Sequence, residues 1–181
     1  MTHPFMESLS AELASVGVAS FRYQFPYMES RRRFPDPPAV LLSTVRAAVR
    51  EASQAAPELP LFAGGKSMGG RMTSQAAAER PLDGVRGLVF FGFPLHPPKR
   101  PGTTRARHLA NVTVPMLFLQ GTRDVFAELK LLRPICKNLG ERAALHTFKD
   151  ADHSFHVPKN SGKTDSEVLR ELVQTVASWM E

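Results

Sequence analysis

The chain has 181 residues, 43% hydrophobic and 22% charged, ordinary values that exclude a disordered or fibrous protein and suit one domain, 1–181, around one core. Lys and Arg exceed Asp and Glu, giving a net charge of +6. The only tight cationic run is Arg31-Arg32-Arg33, beside Tyr27 and Phe34; without a helix-turn-helix, zinc or RNA-binding signature it reads as a solvated or substrate-facing loop, and no nucleic-acid partner is expected.

No apolar stretch approaches the roughly 18 uninterrupted residues of a membrane helix, and Met1 to Ser10 lacks the basic start and apolar run of an export signal. No membrane association is expected. The single cysteine, Cys136, has no internal disulfide partner and falls in an apparently helical stretch, Leu129 to Leu139. It reads as a buried thiol in a reducing compartment, and the location expected is cytoplasmic.

In chain order, short apolar or β-branched runs alternate with longer amphipathic stretches. Helices are expected at Pro4 to Val16, Pro38 to Ala55, Met68 to Arg80 and Asp165 to Met180. Strands are expected at Val18 to Phe25, Leu59 to Ala63, Val85 to Phe91, Pro115 to Gln120 and Ala144 to Phe148. The alternation predicts the α/β class, a mostly parallel sheet with helices on both faces. In the last helix Val168, Leu169, Leu172, Val173, Val176 and Trp179 form one apolar stripe that packs inward. Phe93 to Gly102 holds Pro94, Pro97, Pro98 and Pro101 and must be a loop at a strand end.

Gly65-Lys66-Ser67-Met68-Gly69 follows a strand and opens a helix, the context of a G-x-S-x-G nucleophile turn. Such a turn crowds the neighbours of the nucleophile, so Gly65 and Gly69 are expected to supply the space. Ser67 would project above the sheet, with the Met68 amide facing a developing oxyanion at the helix N-terminus. The Gly65-Lys66-Ser67 triplet also ends a phosphate-loop motif, but that motif needs a glycine at position 60, which is Pro60, and strand-like Leu61, Phe62 and Ala63 replace a flexible cradle.

A serine nucleophile needs a base, and the base needs an acid that sets its tautomer. Asp124 follows the strand Pro115 to Gln120, and His153 follows the strand Ala144 to Phe148, both at the edge where ligands gather in open parallel sheets. Ser67, Asp124 and His153 thus lie in the chain order that this nucleophile turn requires. Asp150 and Asp152 are the alternative acids, but neither follows the penultimate strand. Of the six histidines, His3, His96, His108, His146 and His156 lack the position of a base and are expected to be structural.

The segments Pro26-Tyr27-Met28, Ala63 to Arg71, Phe93 to Pro98, Gln120 to Asp124 and Asp152-His153-Ser154-Phe155 together resemble a branch of dienelactone-hydrolase-like α/β hydrolases. That branch includes the testis-expressed and NSL-complex regulatory-subunit hydrolase-like proteins. The resemblance spans nearly the whole chain; it implies the α/β-hydrolase fold with Ser67, Asp124 and His153 on the triad positions. Proteins of this kind carry a strand and a His-Gly-x-Gly-like turn before the segment similar to Thr2-His3-Pro4-Phe5-Met6. Neither is in the 181 residues, so the chain is expected to be N-terminally incomplete, with its first strands lacking.

The activity expected is hydrolysis of a small-molecule ester, thioester or lactone through an acyl-Ser67 intermediate, with no metal or organic cofactor. Phe93, Leu95, His96 and Arg32 are the expected substrate-binding residues, the arginines favouring an anionic substrate. The competing expectation is an interaction protein that keeps the fold without turnover.

Overall fold

The computed structural model describes residues 3–181. Four strands, β1 (Leu61–Lys66), β2 (Val85–Phe91), β3 (Met116–Gly121) and β4 (Ala143–Phe148), form one sheet in the order β1-β2-β3-β4 with every neighbouring pair parallel. Helices are α1 (Pro4–Ser15), α2 (Pro26–Glu29), α3 (Pro38–Ala55), α4 (Met68–Glu79), α5 (Leu129–Leu139) and α6 (Asp165–Met180), with a longer 3₁₀ segment at Thr104–Asn111.

A strand order that advances steadily in one direction, joined by right-handed crossovers, puts the connecting helices on one face. Accordingly α4, the 3₁₀ segment and α5 pack on one side with α3, while α1 and α6 pack on the other. The pleat sends alternate residues to the two layers. Leu88 and Phe90 of β2 and Met116 and Phe118 of β3 join Val45, Met72, Leu109 and Leu132 in one core. Val89, Phe91, Leu117 and Leu119 join Leu9, Leu13, Leu172 and Val176 in the other. Strands covered on both faces read as continuous apolar runs, which is why β2 and β3 stand out in the sequence.

Two strands differ from expectation. β1 starts at Leu61 and runs on through Gly64 and Gly65 to Lys66, because Leu59 is exposed and the glycines admit a close neighbour: a Cβ on Gly64 would lie 2.1 Å from the Val89 carbonyl oxygen. Val18 to Phe25 is not a strand. Its β-forming residues still need a ladder partner, and residues Val18 to Tyr23 instead face Leu61 to Gly65 of β1 across a cleft of about 480 Å³. β1 is therefore an edge strand among the described residues. None of the described helices is long and apolar enough to cross a membrane.

Candidate active site

The C-terminal ends of the four strands converge on one edge of the sheet, and the site is built there. Ser67 joins β1 to α4 with φ 50° and ψ −116°, a backbone conformation that costs an L-residue energy and holds a side chain out from the turn. Its amide bonds the Phe91 carbonyl at 3.1 Å, and its own carbonyl accepts from Arg71 N–H at 3.1 Å. The crowding expected at Gly65 is present: a Cβ there would lie 3.0 Å from Gly69 and Gly70 backbone atoms. The second crowded position is Gly70, not Gly69, since a Cβ on Gly70 would meet the Gly65 carbonyl oxygen at 2.7 Å whereas Gly69 faces open space. The helix turns residue 70, one place further on, back toward the strand.

Hydrogen bonds run in a line from this serine. Ser67 Oγ is 2.8 Å from His153 Nε2, and His153 Nδ1 is 2.6 Å from Asp124 Oδ2. A buried carboxylate accepts, so it holds the proton on Nδ1 and leaves Nε2 to accept from the Ser67 hydroxyl. Asp124 is only 3% exposed and is fully occupied: Oδ2 also accepts from Gln120 Nε2 at 2.5 Å, and Oδ1 accepts from Phe126 N–H at 2.8 Å. Gln120 in turn accepts from Phe93 N–H at 3.1 Å. The Phe126 ring lies 4.4 Å from the His153 ring, centroid to centroid. Asp152 is used elsewhere, its Oδ1 accepting from the Ser154 and His156 amides within its own loop, and Asp150 is tied through its backbone to Thr122 and Arg123.

Lys66, adjacent to the nucleophile, donates from Nζ to the His153 carbonyl and lies 5.5 Å and 5.1 Å from the Phe5 and Phe155 ring centroids. Burial pushes its pKa down to about 8, against the pull of Asp124 and Asp152. Gly92, at φ 70°, closes the same corner; a Cβ there would lie 3.2 Å from His153 Nδ1 and 3.3 Å from Lys66 Nζ. Lys66, Gln120 and Phe126 were not anticipated from sequence. Gln120, a polar residue ending an apolar strand, was the one visible signal.

The expected substrate residues take other places. Phe93 and Leu95 are each 1% exposed; Phe93 packs on Phe90 and Phe118 at centroid distances of 5.2 Å and 5.7 Å, because an apolar loop start beneath the strand ends completes the core. His96 is 3% exposed, with Nδ1 2.8 Å from the Pro97 carbonyl and Nε2 without a partner. The Leu95 and His96 amides both bond the Phe126 carbonyl, tying this loop to the loop of Asp124. Arg32 is half exposed and paired with Asp36 at 2.5 Å. A second serine–histidine contact, Ser74 Oγ to His108 Nε2 at 2.8 Å, joins α4 to the 3₁₀ segment. Ser74 is fully buried, and burial and Arg71 push the pKa of His108 down to about 4. Among the described residues no three His, Cys, Asp or Glu side chains gather as a metal site.

A parallel sheet flanked by helices, with a strained serine at a strand-to-helix turn facing a histidine, defines an α/β fold of the serine-hydrolase-like kind. The chain belongs to the alpha/beta hydrolase domain family, whose model matches residues 1–181. It is similar to an α/β serine hydrolase homologue from Coxiella burnetii, with 17% identity and a TM-score of 0.74 over 97% of this chain and 77% of that one. It is similar also to an α/β serine hydrolase without a lid from Xanthomonas campestris, with 19% identity and a TM-score of 0.75 over 99% and 75% of the two chains. Est1E from Butyrivibrio proteoclasticus, solved with ferulic acid bound, matches at 15% identity and a TM-score of 0.68 over 99% of this chain and 84% of that one. At these identities the likeness is one of fold.

Proposed function

We propose that the chain is a serine-dependent hydrolase of the dienelactone-hydrolase-like kind, cleaving a small carboxylic ester, thioester or lactone through an acyl-Ser67 intermediate. The observation that carries this reading is the line of hydrogen bonds from Ser67 Oγ through His153 to the buried Asp124. His153 Nε2 takes the hydroxyl proton as Oγ attacks the carbonyl carbon, and Asp124 stabilises the imidazolium so formed. The first amides of α4 have no intrahelical acceptor; that of Met68 faces the oxyanion of the tetrahedral intermediate. His153 then protonates the departing alcohol or thiol, leaving acyl-Ser67. It next takes a proton from water, which attacks the acyl carbon, and returns that proton to Ser67 Oγ as the acid departs.

Labelling of one sample with a fluorophosphonate, and assay of untreated protein on short p-nitrophenyl esters and lactones, test this. Labelling and turnover are expected in the wild type and absent in Ser67→Ala, because nucleophile and base act as one unit worth on the order of a millionfold. A folded wild type that neither labels nor turns over any member of the panel would instead support a non-catalytic interaction protein.

A further inference from the structure

We propose that Arg71 and Arg105 form an anion-binding subsite beside Ser67, so that the ester cleaved carries a carboxylate or phosphate group in addition to the scissile bond. The inference rests on the serine-hydrolase reading above and adds its substrate class.

The placement follows from the packing of α4 on the 3₁₀ segment. Each leaves the C-terminal edge of the sheet, α4 directly after β1 and the 3₁₀ segment after the loop that ends β2. They therefore run side by side in the same direction, and the contact of Ser74 with His108 at 2.8 Å sets their register. Three residues earlier on each, one turn nearer the edge that holds the nucleophile, stand Arg71 and Arg105. Arg71 lies in the first turn beyond Ser67, its amide bonding the Ser67 carbonyl at 3.1 Å. Side chains on a helix lean toward its N-terminus, which directs Arg71 to that edge.

Both arginines are half-buried, and neither takes part in an ion pair among the described residues. Arg71 Nε is buried with no acceptor at all. A buried guanidinium donor left open calls for a partner, and the neighbours only sharpen the demand. Burial holds the Arg71 pKa below its usual value and the charge of Arg105 adds to this, while burial and Arg71 keep His108 neutral at neutral pH. Two guanidinium groups carried one turn nearer the nucleophile's edge than the contact of Ser74 with His108, neither in an ion pair among the described residues, match the bidentate chemistry of carboxylate and phosphate oxygens. Arg32, by contrast, already has Asp36.

Two measurements test the subsite. In the first, kcat/KM is compared for p-nitrophenyl butyrate and mono-p-nitrophenyl glutarate in the wild type, Arg71→Gln, Arg105→Gln and the two Lys variants. The wild type is expected to favour the charged ester, and each Gln variant to lower that ratio by roughly tenfold or more, the worth of one charged hydrogen bond, with Lys restoring part of it. A ratio unchanged within about twofold in both Gln variants would overturn the proposal, since discrimination requires a difference of affinities. In the second, calorimetry follows glutarate and, separately, inorganic phosphate added at millimolar concentration to folded Ser67→Ala protein. Binding of either that is lost with Arg105→Gln supports the subsite and names the group it prefers; binding of neither refutes it. Because this arm needs no turnover, an inactive wild type that still binds glutarate would sink the hydrolase reading and spare the anion site.

Discussion

Ser67 is held at φ 50° by a turn that leaves room only for hydrogen at Gly65 and Gly70, and its chemistry depends on how well His153 is held opposite. Two groups do the holding. Asp124 fixes the ring through Nδ1 at 2.6 Å, so Asp124→Asn, which keeps the shape and loses the charge, is expected to lower turnover by about 10⁴, by analogy with the serine-protease triad. A loss of less than tenfold in kcat would move the acid role to Asp150 or Asp152. Lys66 holds the backbone of the same residue. Lys66→Met is expected to lower kcat by roughly tenfold to a hundredfold, the effect of small misplacement of a reacting group. Lys66 also has a pH signature. Its pKa of about 8 in the folded chain lies below the ordinary 10.5, so between those values the unfolded chain binds more protons and stability rises with pH. Denaturant titrations across that window should show the rise in the wild type and a weaker one in Lys66→Met; equal slopes would show that Lys66 is not the titrating group.

At the scale of elements, the site is assembled by short loops that leave parallel strands at one edge, and small residues let those loops touch. Gly121 ends β3, and a Cβ on it would lie 2.3 Å from the Ala151 carbonyl oxygen and 2.6 Å from that of Asp152. Both are backbone atoms of the loop that presents His153, so they cannot swing aside as a side chain would. Gly121→Ala is therefore expected to lower esterase activity while the helices persist, and the ring signals of His153 should shift in NMR spectra. Unchanged His153 signals would mean that the loop absorbs the methyl group. Elsewhere the chain reads its own boundaries: Thr164 and Glu167 cap α6 reciprocally, the pattern of a helix that starts where its sequence says.

At the scale of the molecule, the sheet separates two apolar layers that share its strands, Leu132 lying in one and Leu172 in the other, both fully buried. Leu132→Ala and Leu172→Ala are each expected to cost about 2 to 5 kcal/mol in urea denaturation, the range for a leucine removed from a core. With the sheet between them the two losses should add to within about 0.5 kcal/mol. A double variant well off that sum would show that a packing change in one layer passes through the strands to the other.

Local physics is what the linear sequence carries. The parallel α/β class, the long helices, the buried runs of β2 and β3, and the order Ser67, Asp124, His153 are legible because each depends on periodicity or on neighbours a few residues away. The same reasoning expected a strand at Val18 to Phe25, whose composition suits one. Pairing is settled by what lies alongside, and a cleft separates that segment from β1. Phe93 and Leu95 looked like loop residues open to substrate, and packing put them in the core. Lys66 and Arg71 could not be read in advance, since Lys66 meets its partner 87 residues away and the Nε of Arg71 is left without an acceptor only by the packing around it. Sequence by itself determined the long helices, the four strands that pair, to within a few residues, and which residues have the chemistry of a nucleophile, a base and an acid. Tertiary structure alone decided which strands pair, which apolar residues are walls, and which charges are left without a partner, because each of those depends on distances between parts of the chain far apart in sequence.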